Sequence, residues 1–257
     1  MLRYVVVLSV LVLAGCKTLT VPFGGYPSYT PSADTPILTK HLHPDTRPHP
    51  FPYSAEEIGL SAGEFTEFVR QRMWGCDSGC DFKHEEDLGR RVKTPYSQQG
   101  FHATAINIAQ VPKDWLPTVQ RIAHEMRTEI GLPVVLSDTK GVKMTFENTT
   151  GRGNACAYSN RYIIIATQHG ADFTEHCIWQ EVGHHYGLAS DTDHFGQITN
   201  FRDTNGTMRT FSPLDHASYW VTHDPRIPIT PVGKQSEILA TIYHIAVHDL
   251  KLRPSHG

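Results

Sequence analysis

One stretch of the chain holds side chains of the right type and spacing for metal chemistry: Cys177-Ile178-Trp179-Gln180-Glu181-Val182-Gly183-His184-His185-Tyr186-Gly187-Leu188-Ala189-Ser190-Asp191. On a helix at about 100° per residue, with Gln180 at zero, His184 lies at about 40°, Cys177 at about 60° and Glu181 at about 100°. These four share one face. Two groups one turn apart can hold a zinc ion, and a glutamate beside them can take a proton from water that the ion polarises. Gly187 stands where a left-handed residue would end such a helix and turn the chain back. Glu181 is therefore the expected catalytic base, with His184 and Gln180 as metal ligands. Asp191, Asp193 or His194 supplies the expected ligand from the segment beyond the turn, Asp191 first and His194 second. Gln180 offers only a neutral carbonyl oxygen, which binds zinc more weakly than imidazole or carboxylate does. His185, at about 140°, is expected to point away from the site.

The pattern His-Glu-x-Gly-His-x-x-Gly-Leu of the metzincin metallopeptidases resembles residues 180 to 188, with Gln180 in place of the first histidine. Their third ligand falls on Ser190, one step before Asp191. Thr207-Met208 followed by Phe211-Ser212-Pro213-Leu214-Asp215 resembles the segment holding their methionine turn and the helix after it. The resemblance implies a metzincin-like α+β fold, zinc as cofactor and a peptide or protein substrate. It also makes Met208 the base under the site.

Cys-Ile-x-x-Glu with Gly-Leu-x-x-Asp, the Leu214-Asp215 helix and His223-Asp224-Pro225-Arg226 together resemble the family called domain of unknown function 2927. Leu88-Gly89-Arg90-Arg91-Val92 and the strand at Cys156 fit that pattern too. Members of that family are proteobacterial lipoproteins without an assigned activity, and their residues matching Gln180 and His184 are commonly Glu and Gln. The present chain stands nearer the peptidase pattern.

Elsewhere the chemistry thins out. His124-Glu125 imitates half a zinc motif, but Thr128 stands where a second histidine belongs. His169, His176, His216, His223, His244 and His248 read as surface or helix-end histidines. There is no Gly-x-Ser-x-Gly elbow and no phosphate-binding glycine loop.

The elements that must position the motif follow from patterning. Ser61-Ala62-Gly63-Glu64 is a capping box opening a helix to Trp74. Residues 101 to 108 read as a strand, and a helix from about Leu116 to Ile130 buries Val119, Ile122, Ala123, Met126 and Ile130 before Gly131 and Pro133 stop it. Short strands are expected at 134–136, 142–146 and 162–165. The motif helix runs from about Glu175 to Gly187, entered through Thr174 or Asp172. Ser212-Pro213-Leu214-Asp215 opens another helix, and the last covers about Ser236 to Leu250. Strands come early and helices late, which is an α+β layout.

The N-terminus places the domain. Arg3, an apolar run from Val5 to Leu13 and then Leu13-Ala14-Gly15-Cys16 read as a secretory signal, too short for a membrane span. Its end resembles the bacterial lipobox, which implies cleavage after residue 15 and lipidation of Cys16, with Lys17 favouring the outer membrane facing the periplasm. Residues 17 to 54 hold eight of the 17 prolines and read as a semi-rigid tether, leaving one globular domain over 55–257. With Cys16 lipidated, four of the five cysteines remain: Cys76, Cys80, Cys156 and Cys177. Three disulfide pairings are open; the local one, Cys76 with Cys80 and Cys156 with Cys177, needs the least rearrangement. A four-cysteine zinc site fits the spacing and an oxidising compartment poorly.

Composition sets the outer bounds. The chain has 257 residues, 39% hydrophobic, with formal net charge -3 and no block of like charge. That suffices for a sizeable core and gives no basic field for nucleic acid. Two functions are compatible: a zinc-dependent peptidase in the cell envelope, or a metal-free relative of the same fold serving as a binding or assembly module.

Overall fold

The computed structural model describes residues 28–42, 44–74, 105–132, 134–150, 156–158, 162–186, 210–228 and 235–254. Strands β1 (Ala105–Asn107), β2 (Val135–Ser137), β3 (Val142–Glu147), β4 (Ala157–Tyr158) and β5 (Tyr162–Ala166) form one sheet in the order β2-β1-β3-β5-β4. The first four in that order run parallel, and β4 is an antiparallel edge strand on β5. β-Branched and large apolar residues explain the centre: Met144, Ile163 and Ile165 are fully buried. Gly141 turns the chain into β3 at φ 101°, and a side chain there would collide with the carbonyl of Ala105.

Six helices accompany the sheet among the described residues. They are α1 (Ala55–Ile58), α2 (Ala62–Trp74), α3 (Leu116–Glu125), α4 (Ala171–His185), α5 (Pro213–Thr222) and α6 (Gln235–His248). The capping boxes at both expected places are formed. Ser61 N–H donates to Glu64 Oε2 at 2.9 Å, and Ser212 N–H donates to Asp215 Oδ2 at 2.9 Å. The expected strand at 101–108 is three residues within its described part. The expected long helix to Ile130 changes at Met126 into a π turn, Met126–Ile130, closed by Gly131 at φ 84°.

Two hydrophobic clusters divide the interior. One joins the sheet to α3 and α4 through Ile106, Met144, Ile165, Val119, Ile122, Ile178, Trp179 and Val182. The other is helical and joins α2, α5 and α6 through Phe65, Phe68, Leu214, Trp220, Ile238, Ile242 and Ile245. Each fully buried isoleucine contributes about 2 kcal/mol. Helix α5 serves both clusters, with Tyr219 in the first and Leu214, Ala217, Trp220 and Val221 in the second.

Residues 28–42 and 44–54, expected to stand off as a tether, lie against these helices. Leu38 N–H donates to Thr241 Oγ1 at 2.8 Å, and Leu42 N–H donates to the Pro225 carbonyl at 2.7 Å. Arg47 is buried, stacks over the Trp220 ring and pairs with Asp224 at 3.0 Å. Prolines fix the extended backbone of this segment, while its few large side chains (Tyr29, Leu38, Phe51) supply the contacts that hold it down. No helix among the described residues is long and apolar enough to cross a membrane.

Candidate functional site

The motif lies on α4, four residues longer at its start than its periodicity predicts. Gly170 is the N-cap, and Thr174 Oγ1 donates to the Gly170 carbonyl at 2.9 Å and to the Ala166 carbonyl at 3.1 Å. These bonds bind the helix to the end of β5. Nine of its 15 residues are buried, so α4 is an interior helix rather than an amphipathic surface one.

Within that buried cylinder one stripe stays partly open. Phe173, Gln180 and His184 are half-buried, and they recur at helical spacing. Gln180 and His184 thus share a face, as their spacing predicts. Glu181 sits one step around toward the interior, with 4% of its surface exposed. Cys177, on the same face, is bonded to Cys156 beside β4, with Cα atoms 5.9 Å apart. Its sulfur is thereby committed to the disulfide and withdrawn from metal binding. This is the local pairing of the expected set. The bond also ties the antiparallel edge strand to the motif helix.

His185 points into the interior, away from the stripe. It is 1% exposed, its ring lies edge-on to Tyr186, and desolvation lowers its pKa from 6.5 to about 3. It is a neutral imidazole at physiological pH. Tyr219 of α5 donates its hydroxyl to the carbonyl of Gly183 at 2.7 Å, between Glu181 and His184. Its phenol is held well above the ordinary tyrosine pKa, first by burial and then by the nearby Asp215 carboxylate, against the lowering effect of Arg72. The hydroxyl therefore remains a donor across the whole neutral range.

Asp191, His194 and Met208 lie outside the described residues, as do Gly187, Cys16, Cys76 and Cys80. The donors that the described structure brings together for zinc are the His184 imidazole and the Gln180 carbonyl oxygen. One strong and one weak ligand on adjacent turns fit the ion in kind, and the set requires a further ligand of the Asp191 or His194 type.

Pattern reading missed a second group of ligand-type side chains. His216 is 2% exposed and is not a surface histidine. Its Nε2 lies 3.2 Å from Glu125 Oε1 and 3.9 Å from Glu129 Oε2. The signal in the sequence is the acidic pair at positions 125 and 129, one turn apart. His244 and His248 are also one turn apart, with ring centroids 4.3 Å from each other, a spacing legible in the sequence. A surface depression of about 570 Å³ beside β2 is lined by Gln120, His124, Arg127 and Val134 to Leu136, and by none of the motif residues. No family model, no curated protein and no solved structure matches this chain.

Proposed function

We propose that this chain is an envelope lipoprotein, anchored through Cys16, with a metzincin-like site for zinc-dependent hydrolysis of peptide bonds on α4. The observation that carries this reading is the half-buried stripe of Gln180 and His184 on an otherwise interior helix, with Glu181 beside it. The strip that stays open on this helix presents an imidazole and an amide one turn apart, where an ion from solvent could reach both. His184 and Asp191 or His194 would hold the ion, with Gln180 as a weak additional donor. Zinc at such a site polarises a peptide carbonyl and makes water more acidic.

The remaining work belongs to the chain's own groups. Glu181 takes the proton of the attacking water and returns it to the departing nitrogen. Among the described residues β4 is a sheet edge, and the Cys156–Cys177 bond joins it to α4, so an extended peptide could add to it beside the motif helix. The second reading, a metal-free binding or assembly module, draws on the amide at Gln180 and the 4% exposure of Glu181, which suits a structural acid.

Zinc content separates the two. The purified chain is expected to lose one equivalent of zinc in His184→Ala, and to lose proteolysis with zinc retained in Glu181→Gln. Zinc content unchanged by His184→Ala overturns the enzyme reading in favour of the module.

A further inference from the structure

Glu125 closes α3, Glu129 lies in the π turn that follows, and His216 stands in the first turn of α5. Their ligand atoms all lie within 4.8 Å of one another. Tetrahedral or octahedral coordination at about 2.1 Å places neighbouring ligand atoms roughly 3 to 3.5 Å apart. Small rotations of the two glutamates are enough to close that difference, and Glu129 is free to make them because its side chain is 51% exposed.

The burial pattern points the same way. The His216 imidazole is wedged between Tyr53 and Phe211, with ring centroids at 5.0 and 6.1 Å, and its Nε2 is aimed at both carboxylates. Its Nδ1 is buried with no hydrogen-bond partner. The charge around the group is also one-sided. Among the described residues no lysine or arginine pairs with Glu125 or Glu129; their ion-pair contacts are to His216 alone. Tyr53 feels the excess: burial raises its pKa first, and the carboxylates of Glu129, Glu125 and Glu57 raise it further. The π turn adds a local cost, since such turns interrupt α-helical bonding and recur at functional sites.

We propose that Glu125, Glu129 and His216 form a binding site for a divalent cation that clamps the start of α5 to the π turn. Two carboxylates and one imidazole, without sulfur, suit a cation of manganese type. The ion would neutralise the carboxylates and join α5, which serves both hydrophobic clusters, to the sheet-side layer. Glu129 leaves the site open to solvent for ion entry. The proposal is independent of zinc on α4.

The test titrates the full chain, purified in detergent and stripped of metal, with Mn²⁺ under electron paramagnetic resonance, beside Glu129→Gln and His184→Ala. Glu129 is half exposed, so its replacement leaves the fold intact, as a melting curve without metal will show. One Mn²⁺ is expected per wild-type chain, with affinity weakened about tenfold or more in Glu129→Gln and unchanged in His184→Ala. A readout free of variants is the thermal midpoint of the wild type, which Mn²⁺ must raise if it binds the folded chain alone. The proposal is overturned by a wild type that neither binds Mn²⁺ nor gains stability from it. Equal affinity in Glu129→Gln overturns it too, as does loss of the ion in His184→Ala.

Discussion

Helix α4 buries two histidines, His176 and His185, and α5 buries His216; the surroundings of His185 and His216 differ in kind. His185 on α4 is enclosed to 1% exposure at a site where burial alone pushes its pKa to about 3. His216 on α5 is equally enclosed, at 2%, but faces two carboxylates. The difference extends to the helices. α4 is held by apolar packing, a disulfide, the donated hydroxyl of Tyr219 and, at its start, an ion pair of Glu175 with Arg121. α5 is held at both ends by charge: Asp215 in its capping box, Glu125 and Glu129 opposite His216, and Arg47 with Asp224 past its C-terminus. A buried histidine therefore carries no role in itself; the groups facing it assign one.

The largest expected effect tests the apolar side of this contrast. Unfolding restores His185 to a pKa near 6.5, while in the folded chain it stays neutral down to about pH 3. The unfolded state thus binds an extra proton between those values, so stability is full above pH 6.5 and falls as pH drops below it. Each pH unit costs about 1.4 kcal/mol, or about 3 kcal/mol by pH 4. Urea unfolding of the wild type and His185→Gln at pH 7 and pH 4 measures this, and the variant should lose stability less steeply. Equal slopes would mean that His185 is solvated or charged in the fold.

Next in size is the charged side. Arg47 pairs with Asp224, whose side chain is wholly buried, and with Asp45 at 2.6 Å. Burial alone would raise the Asp224 carboxyl, but Arg226 and Arg47 hold it below the usual carboxylate range. In Arg47→Ala one cation is lost while Arg226 remains at 2.8 Å, so the cost should be about 2 kcal/mol rather than the full penalty of a stranded charge. Denaturant melts check the value, and limited proteolysis should show residues 28–54 cut sooner. A loss below about 0.5 kcal/mol would place this ion pair with ordinary surface pairs.

How much of this was legible depends on whether the cause is local. The capping boxes at Ser61 and Ser212 and the stripe Val119, Ile122, Met126 and Ile130 are written within a few residues of one another, and they stand where the pattern puts them. So does the shared face of Gln180 and His184. The π turn was not legible, because Met126–Ile130 keeps the apolar positions of an α-helix. The docking of residues 28–42 and 44–54 escaped for a different reason: proline richness reports a stiff backbone, whereas Arg47 over Trp220 is a contact across 173 residues. The Glu125–Glu129–His216 group spans 91 residues, and only the fold brings its halves together.

The smallest effect concerns the bond that joins the two helices. Tyr219→Phe keeps the ring against Phe211, whose centroid lies 5.5 Å away, and removes only the hydroxyl donated to Gly183. A neutral hydrogen bond of this sort contributes about 1 kcal/mol, so the variant should unfold at slightly lower urea with an unchanged slope. Because the bond lands between Glu181 and His184, it also reports whether α5 fixes the position of the stripe. If it does, zinc binding lost in His184→Ala should weaken severalfold in Tyr219→Phe, while Mn²⁺ binding at Glu125, Glu129 and His216 stays as in the wild type. Equal weakening of both ions would mean that α4 and α5 move as one polar unit, and the contrast between the surroundings of His185 and His216 would no longer hold.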